Sequence, residues 1–323
     1  MKIVRGKFKD ISLHLSYAVV GLGSFDGIHI GHQALIRGVI KRAKQKAGQS
    51  IIYTFEDHPL VKKQKAPFLL TTTQEKLELL DEIELDYLVL VPFSKEFSLQ
   101  LPEEFVSNVI SSSLGAKEVI VGFNYTFGFK KSGDALKLQE LSKAYGFDLT
   151  ILPDVRLNHK VVSSSLIRQL ISLGRVNEAS RFLGYSYFVK GVVKRGSKRG
   201  KELLFPTANL EITDPHKLLP KDGVYACYVF LDREVFKGVS NIGLRPTFDE
   251  KKRCFEIHLI DFDKDIYSSP LLVFFVEKLR DEIKFGRIED LKDQIRKDIE
   301  KTKEILKVKK PSTFLDSFYI FSP

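Results

Sequence analysis

From Tyr17 to Leu152 the chain alternates short apolar runs with longer amphipathic stretches. The runs Tyr17–Gly21, Ser50–Phe55, Tyr87–Val91, Glu118–Val121 and Leu149–Leu152 predict strands. Between them Gly31–Ala47, Thr73–Ile83, Pro102–Leu114 and Asp134–Tyr145 carry helical spacing, and Thr72 followed by Glu75 predicts a capping box for the second of these. Strand–helix alternation at this interval predicts a parallel sheet covered by helices. Ligands on such a sheet bind beyond the carboxyl ends of the strands, where the first strand feeds its helix.

From about Phe188 the period shortens. Phe188–Val193, Thr207–Ile212, Val224–Leu231, Val235–Ile242, Phe255–Asp261 and Leu271–Val276 follow one another, punctuated by Asp222-Gly223 and Arg245-Pro246. That spacing predicts a small antiparallel barrel or sandwich. A closing helix from Ile288 to about Lys307 places Leu291, Ile295, Ile299 and Ile305 among many charges. The change of rhythm puts a domain boundary between Gly184 and Tyr187, giving domains 1–185 and 186–323.

Composition agrees with two globular domains: 323 residues, 43% hydrophobic and 28% charged. The densest apolar stretch, Leu271–Val276, is strand-sized, and the N-terminus lacks the order of segments of a secretory signal. Cys227 and Cys254 cannot form a disulfide framework and stand in no metal-binding spacing, so the expected location is the cytoplasm. The net charge of +10 favours anionic partners, which could be nucleotide phosphates, nucleic acid or a membrane surface. Aromatic residues do not interleave with the basic groups as a single-strand stacking platform requires, so nucleic acid is not expected, and with no run of eighteen or more apolar residues neither is a membrane.

The candidate chemistry begins where the first strand meets its helix, at Gly23-Ser24-Phe25-Asp26-Gly27-Ile28-His29-Ile30-Gly31-His32. Two imidazoles three residues apart share a face of a starting helix. Gly31 has no side chain, leaving the backbone open to a phosphate or adenine, and the helix start adds unpaired N–H groups and roughly half a positive charge. Such parts can hold a triphosphate and stabilise a departing pyrophosphate; two histidines capping a turn are the alternative. The motif has the HxGH form of the nucleotidyltransferase superfamily that includes class I aminoacyl-tRNA synthetases. Ser163, Ser164 and Ser165, with Arg168 one turn on, make a second phosphate site or a simple cap.

In the second half Thr207 and Asn209 lie two apart on a strand and face the same side. A hydroxyl and an amide oxygen suit Mg²⁺, which keeps several waters and bridges phosphates. Gly196-Ser197-Lys198-Arg199-Gly200 is a cationic loop able to wrap phosphates, but it is not a Walker A loop, since Glu202 follows Lys201. In Phe255–Leu259 the apolar residues take one face and leave Glu256 and His258 on the other. A carboxylate there can accept the proton of a bound alcohol.

With these segments in view, the chain resembles the bacterial bifunctional riboflavin kinase/FAD synthetase family from about Val20 to Thr302. The resemblance runs through Gly23–Gln33, Phe55–Pro59, Leu101–Val106, Val121–Gly128 and Ser163–Arg168, then Gly196–Gly200, Phe205–Asn209, Gly223–Ala226, Asn241–Phe248, Phe255–Leu259 and Leu279–Phe285. It implies a Rossmann-like nucleotidyltransferase domain followed by a small antiparallel Greek-key β-barrel with a C-terminal helix. It implies riboflavin, FMN, FAD, ADP and pyrophosphate as partners, ATP as co-substrate and Mg²⁺ as cofactor. Glu256 is then the kinase base, while His29, His32 and Arg168 serve adenylyl transfer. ATP contacts in the first domain fall to these three, His29, His32 and Arg168, and to Gly23, Phe25, Asp26, Gly27, Gly31, Ser163, Ser164 and Ser165. In the second they fall to Gly196, Ser197, Lys198, Gly200, Thr207 and Asn209, with Thr207 and Asn209 on the metal. Flavin contacts fall to Asn124, Arg280, Glu282 and Phe285. The chain departs from the family at Asn124, usually Asp, at Ser165-Leu166, usually Thr-Arg, and at Ser268, where a Gly usually follows the Asp-x-Tyr triplet. Two other readings are a nucleotidyltransferase with a different phosphate acceptor, against which the barrel half argues, and a basic nucleic-acid-binding protein.

Overall fold

The apolar runs of the first half become parallel strands of one sheet. A computed structural model describes residues 1–59, 61, 68–195, 205–246 and 251–314, and packing divides the chain into two compact units, Met1–Ser164 and a second that starts at Ser165. In the first unit β1 (Lys2–Arg5), β2 (Ala18–Leu22), β3 (Gln49–Phe55), β4 (Tyr87–Val91), β5 (Ala116–Gly122) and β6 (Asp148–Leu152) lie in the order β1-β4-β3-β2-β5-β6. The chain winds outward from β2 to β4 on one side and from β5 to β6 on the other. The switch point therefore lies between β2 and β5, the place where such sheets bind ligands. The edge strand β1 escapes the sequence reading because its Lys-Ile-Val-Arg is short, charged and mostly exposed.

Helix α1 (Ile30–Gln45) packs on β2 and β3. The approach is close enough that a Cβ on Gly21 would meet Ile52, Leu35 and Val39 at 2.7–2.9 Å, so only glycine fits there. The predicted capping box is present at α2 (Thr73–Asp81): Glu75 N–H donates to Thr72 Oγ1 at 3.2 Å and Thr72 N–H to Glu75 Oε2 at 2.9 Å. After the short helix α3 (Lys95–Ser98), the predicted Pro102–Leu114 helix is one α-turn, α4 (Pro102–Phe105), running on into a π-helix over Val106–Ser113. There the Ser113 hydroxyl bonds the Asn108 carbonyl at 2.8 Å, and Leu114 N–H reaches five residues back to Val109 O at 3.0 Å. Helix α5 (Ala135–Tyr145) and the two-stranded ribbon β7 (Arg156–Leu157) and β8 (Lys160–Val161) complete the unit.

At the amino end of the sheet Glu118 is buried and accepts Tyr17 Oη at 2.6 Å and Arg42 Nε at 2.5 Å. Burial alone would raise its carboxyl, but the bonds from Arg42 and Tyr17 outweigh that and hold it below the usual range. Its contribution to stability is present above the ordinary carboxylate pKa and is lost as pH falls through the lowered one.

The second unit opens with α6 (Ser164–Ser172) and α7 (Val176–Leu183). Its strands β9 (Phe188–Lys194), β10 (Ala208–Ile212), β11 (Gly223–Leu231), β12 (Glu234–Pro246), β13 (Lys251–Leu259) and β14 (Pro270–Arg280) close a barrel, β10-β13-β12-β11-β14-β9. Closure decides the barrel over the sandwich. Strand β14 returns beside β11, so β14-β11-β12-β13 is a Greek key. Tyr225, Cys227, Ile242, Phe255, Ile257 and Phe275 fill the interior, with the Tyr225 and Phe275 rings edge to face at 5.4 Å. Helix α8 (Ile288–Val308) covers the outside and accepts Tyr228 Oη at the Leu306 carbonyl, 2.7 Å away. Ser268, where the family usually has glycine, sits at φ +64°, a conformation in which an L side chain costs roughly 1–2 kcal/mol.

Candidate functional site

The turn that leaves β2 at the switch point is strained and tightly held. Phe25, Gly27 and Ile28 have φ of 50°, 80° and 33°, and the Phe25 and Ile28 side chains are fully buried. Left-handed conformations at two non-glycine residues persist only where neighbours over-determine them. Asp26, 1% exposed, accepts the Leu70 and Thr71 N–H groups at 3.0 Å each through Oδ1. Gly27 N–H donates to Thr71 Oγ1 at 2.9 Å, and Gln33 Nε2 to the Ile28 carbonyl at 2.9 Å. The Ser24 carbonyl accepts from Lys76 Nζ at 2.9 Å and Thr54 Oγ1 at 3.2 Å. The Asp26 side chain thus staples the turn to the segment before α2. Replacing it in Asp26→Ala strands two buried N–H groups and is expected to cost roughly 2–5 kcal/mol, read as an earlier urea transition of the first unit.

His29 is the N-cap of α1 rather than part of its first turn, and its Nδ1 accepts the His32 N–H at 3.2 Å. The two imidazoles stack, with centroids 3.7 Å apart and planes 13° from parallel, and the Phe25 ring lies 5.2 Å from that of His32. A Cβ on Gly31 would stand 3.3 Å from the His29 ring, so the missing side chain makes room for that imidazole. The first turn of α1 carries no acidic residue, so its own helix leaves the positive end uncompensated.

Ser164 Oγ donates to the Asp26 carbonyl at 3.0 Å, which holds Ser164 against the HxGH turn. Ser163 is half-buried beside it, Ser165 is exposed, and Arg168 lies one turn along α6. Gly23 is half-buried where the turn begins. Asn124 is exposed on the loop that follows β5, the other strand at the switch point. On that loop Tyr125 and Phe127 stack at 5.7 Å.

The barrel gathers a second set by register. Glu256 on β13 pairs with Asn209 on β10 and with Asn241 on β12. Directly paired residues share a face of the sheet, and their Cβ atoms are about 4.5–5.5 Å apart. Phe255 and Ile257 are buried inside, so the half-buried Glu256, Asn209 and Asn241 stand together on the outer face, with Thr207 two residues before Asn209. The neighbouring His258 Nδ1 lies 2.9 Å from the Pro206 carbonyl, which fixes the approach to Thr207. Gly196, Ser197, Lys198 and Gly200 lie outside the described residues.

Arg280 ends β14 and is bound twice to the buried Asp298 of α8, Nε to Oδ2 at 3.0 Å and Nη2 to Oδ2 at 2.8 Å; Gln294 Nε2 joins them at 2.9 Å. Its guanidinium anchors α8 to the strand from which Glu282 and Phe285 follow. The Glu282 carboxylate lies over Gly243, where it leaves no room for a Cβ, and Phe285 is half-buried. Sequence reasoning missed Thr54, Thr71, Lys76 and Asn241. A signal existed for Lys76 alone, a lysine in the apolar phase of α2, four residues before the buried Leu80.

Comparison with known proteins agrees with both halves. The FAD synthetase family model matches residues 12–166 and the riboflavin kinase model residues 183–306. A bifunctional riboflavin kinase/FMN adenylyltransferase of Listeria monocytogenes is 36% identical over 88% of this chain and 91% of its own length. One of the same description from Escherichia coli is 32% identical over 97% and 100%. A crystal structure from Streptococcus pneumoniae, described as a macrolide-efflux protein, superposes with a TM-score of 0.83 at 33% identity, covering 94% of this chain and 99% of that one. Among the described residues no helix is long and apolar enough to cross a membrane. A parallel sheet bearing HxGH, a Greek-key barrel bearing Asn209, Glu256 and Asn241 in register, and relatives matched from end to end together make this chain a member of the bifunctional riboflavin kinase/FMN adenylyltransferase family.

Proposed function

We propose that the chain runs its two reactions at two separate sites, with residues 1–185 adenylylating FMN and residues 186–323 phosphorylating riboflavin. ATP is the co-substrate of both. In the barrel Glu256 accepts the proton of the riboflavin ribityl hydroxyl as that oxygen attacks the γ-phosphorus of ATP, and ADP leaves. Thr207 and Asn209 would hold Mg²⁺, a hard cation that their neutral oxygens fit. When bound it neutralises phosphate charge and orients the nucleotide. Gly196, Ser197, Lys198 and Gly200 are assigned to the ATP phosphates, while Arg280, Glu282 and Phe285 form the flavin side, Arg280 by anchoring the loop.

In the first domain an FMN phosphate oxygen attacks the α-phosphorus of a second ATP and pyrophosphate departs. A phosphate is already an anion, so this step needs no base. His29, His32 and Arg168 stabilise the charge that builds on the transferring and leaving phosphates. Gly23, Phe25, Asp26 and Gly27 shape the turn, Ser163, Ser164 and Ser165 add donors, Gly31 seats the imidazole, and Asn124 faces the flavin. What supports this most is the stacked His29–His32 pair at the switch point, on a helix start with no acid of its own. Among the described residues Cys227 and Cys254 form no disulfide, which suits the reducing cytoplasm, where we place the protein. Chromatography of a reaction of riboflavin, ATP and Mg²⁺ is expected to show FMN first and FAD later. Absence of both would overturn the proposal.

A further inference from the structure

Lys76 is 5% exposed, on the face of α2 that packs toward the core, and its ammonium donates to the Ser24 carbonyl at 2.9 Å. Thr54 Oγ1, itself fully buried, donates to the same oxygen at 3.2 Å. No peptide bond in the described chain is cis, so the Phe25 N–H is antiparallel to the Ser24 carbonyl and points away from Lys76 and Thr54. Among the described residues this N–H has no acceptor, although it sits at the switch point beside the stacked imidazoles.

We propose that Lys76 is a positioning residue for adenylyl transfer: by fixing the Ser24 carbonyl it aims the Phe25 N–H at the ATP phosphates, and its charge lies beneath the turn that receives them. The inference rests on assigning adenylyl transfer to this turn. A hydrogen bond to Ser24 does not itself require a charge, since Thr54 supplies a neutral one. Burial pushes the Lys76 ammonium down to about 8, which Asp26 partly offsets. Asp26 is the charged group of the turn that acts on it, while Glu75 on its own helix is turned back to cap Thr72. A cation held against its own desolvation is a poor structural staple. It suits a site that receives polyanions.

The test compares Lys76→Met with the unaltered full chain, using riboflavin phosphorylation in the same sample as the internal control. FAD formation from supplied FMN is expected to fall about 10- to 100-fold in kcat, the scale of a misplaced catalytic group, with riboflavin phosphorylation unchanged and Tm equal or higher. In the wild type FAD formation should decline as pH rises through about 8, and the variant should lack that decline. Lys76→Arg keeps the charge beyond this range; it should retain more activity than Lys76→Met and lose the decline, and it carries the test if Lys76→Met does not fold. FAD formation within threefold of wild type in Lys76→Met, equal loss of both activities, or an unaltered alkaline decline in either variant overturns the inference. If the wild type makes no FAD from FMN and ATP, the underlying assignment fails instead.

Discussion

His29→Ala should reduce FAD formation by about 10²–10³-fold or more while FMN continues to accumulate. The imidazole is asked to stabilise charge that develops only as pyrophosphate leaves, so the loss should appear in kcat and persist at saturating ATP. His29 also caps α1, so alanine removes about 1 kcal/mol of helix stability as well. His29→Asn separates the two roles, because asparagine caps a helix as well as any residue but cannot carry a positive charge. The asparagine variant should regain stability and remain as deficient in FAD formation as the alanine variant. Recovery of activity with the cap would reduce His29 to a structural role. Riboflavin phosphorylation, measured on the same samples by product chromatography, should be unchanged in both.

Glu256→Gln should stop FMN formation, with a loss of about 10²–10⁴-fold, and leave adenylylation of supplied FMN intact. Glutamine preserves the shape and the place between Asn209 and Asn241 in the ladder, so the barrel should unfold at nearly the same urea concentration. What disappears is the capacity to accept a proton. If a folded Glu256→Gln or His29→Ala protein lost both activities, the division into two sites would fall. The mirror-image losses of the two variants are the strongest check available, since each serves as the folding control of the other.

Much of this could be read along the chain. The parallel strands were legible because strands buried on both faces must be apolar throughout, as β2 is. The barrel strands were legible because one face of each is wet. The HxGH turn, the serine cluster and Glu256 announced themselves through residue types that have chemistry to do at the ends or open faces of such strands. Residues that act by holding others were, Lys76 apart, not legible. The pair Phe25 and Ile28 gives no local sign of a left-handed backbone, because the strain is sustained by Thr71, Lys76 and Gln33 from elsewhere in the unit.

What the order of residues settled by itself was the alternation of periods, hence two architectures, and the positions where polar chemistry interrupts an apolar rhythm. What only the folded chain decided was which distant residues share a face or an atom. Asn241 stands opposite Glu256 because β12 and β13 pair in one register, and a slip of one residue would turn it into the barrel. Gly31 accommodates an imidazole, and Arg280 is held by an aspartate on the closing helix. Hydrophobic periodicity is a local property encoded in neighbours, whereas register, close approach and the sharing of a carbonyl by two donors arise only when segments far apart in sequence meet.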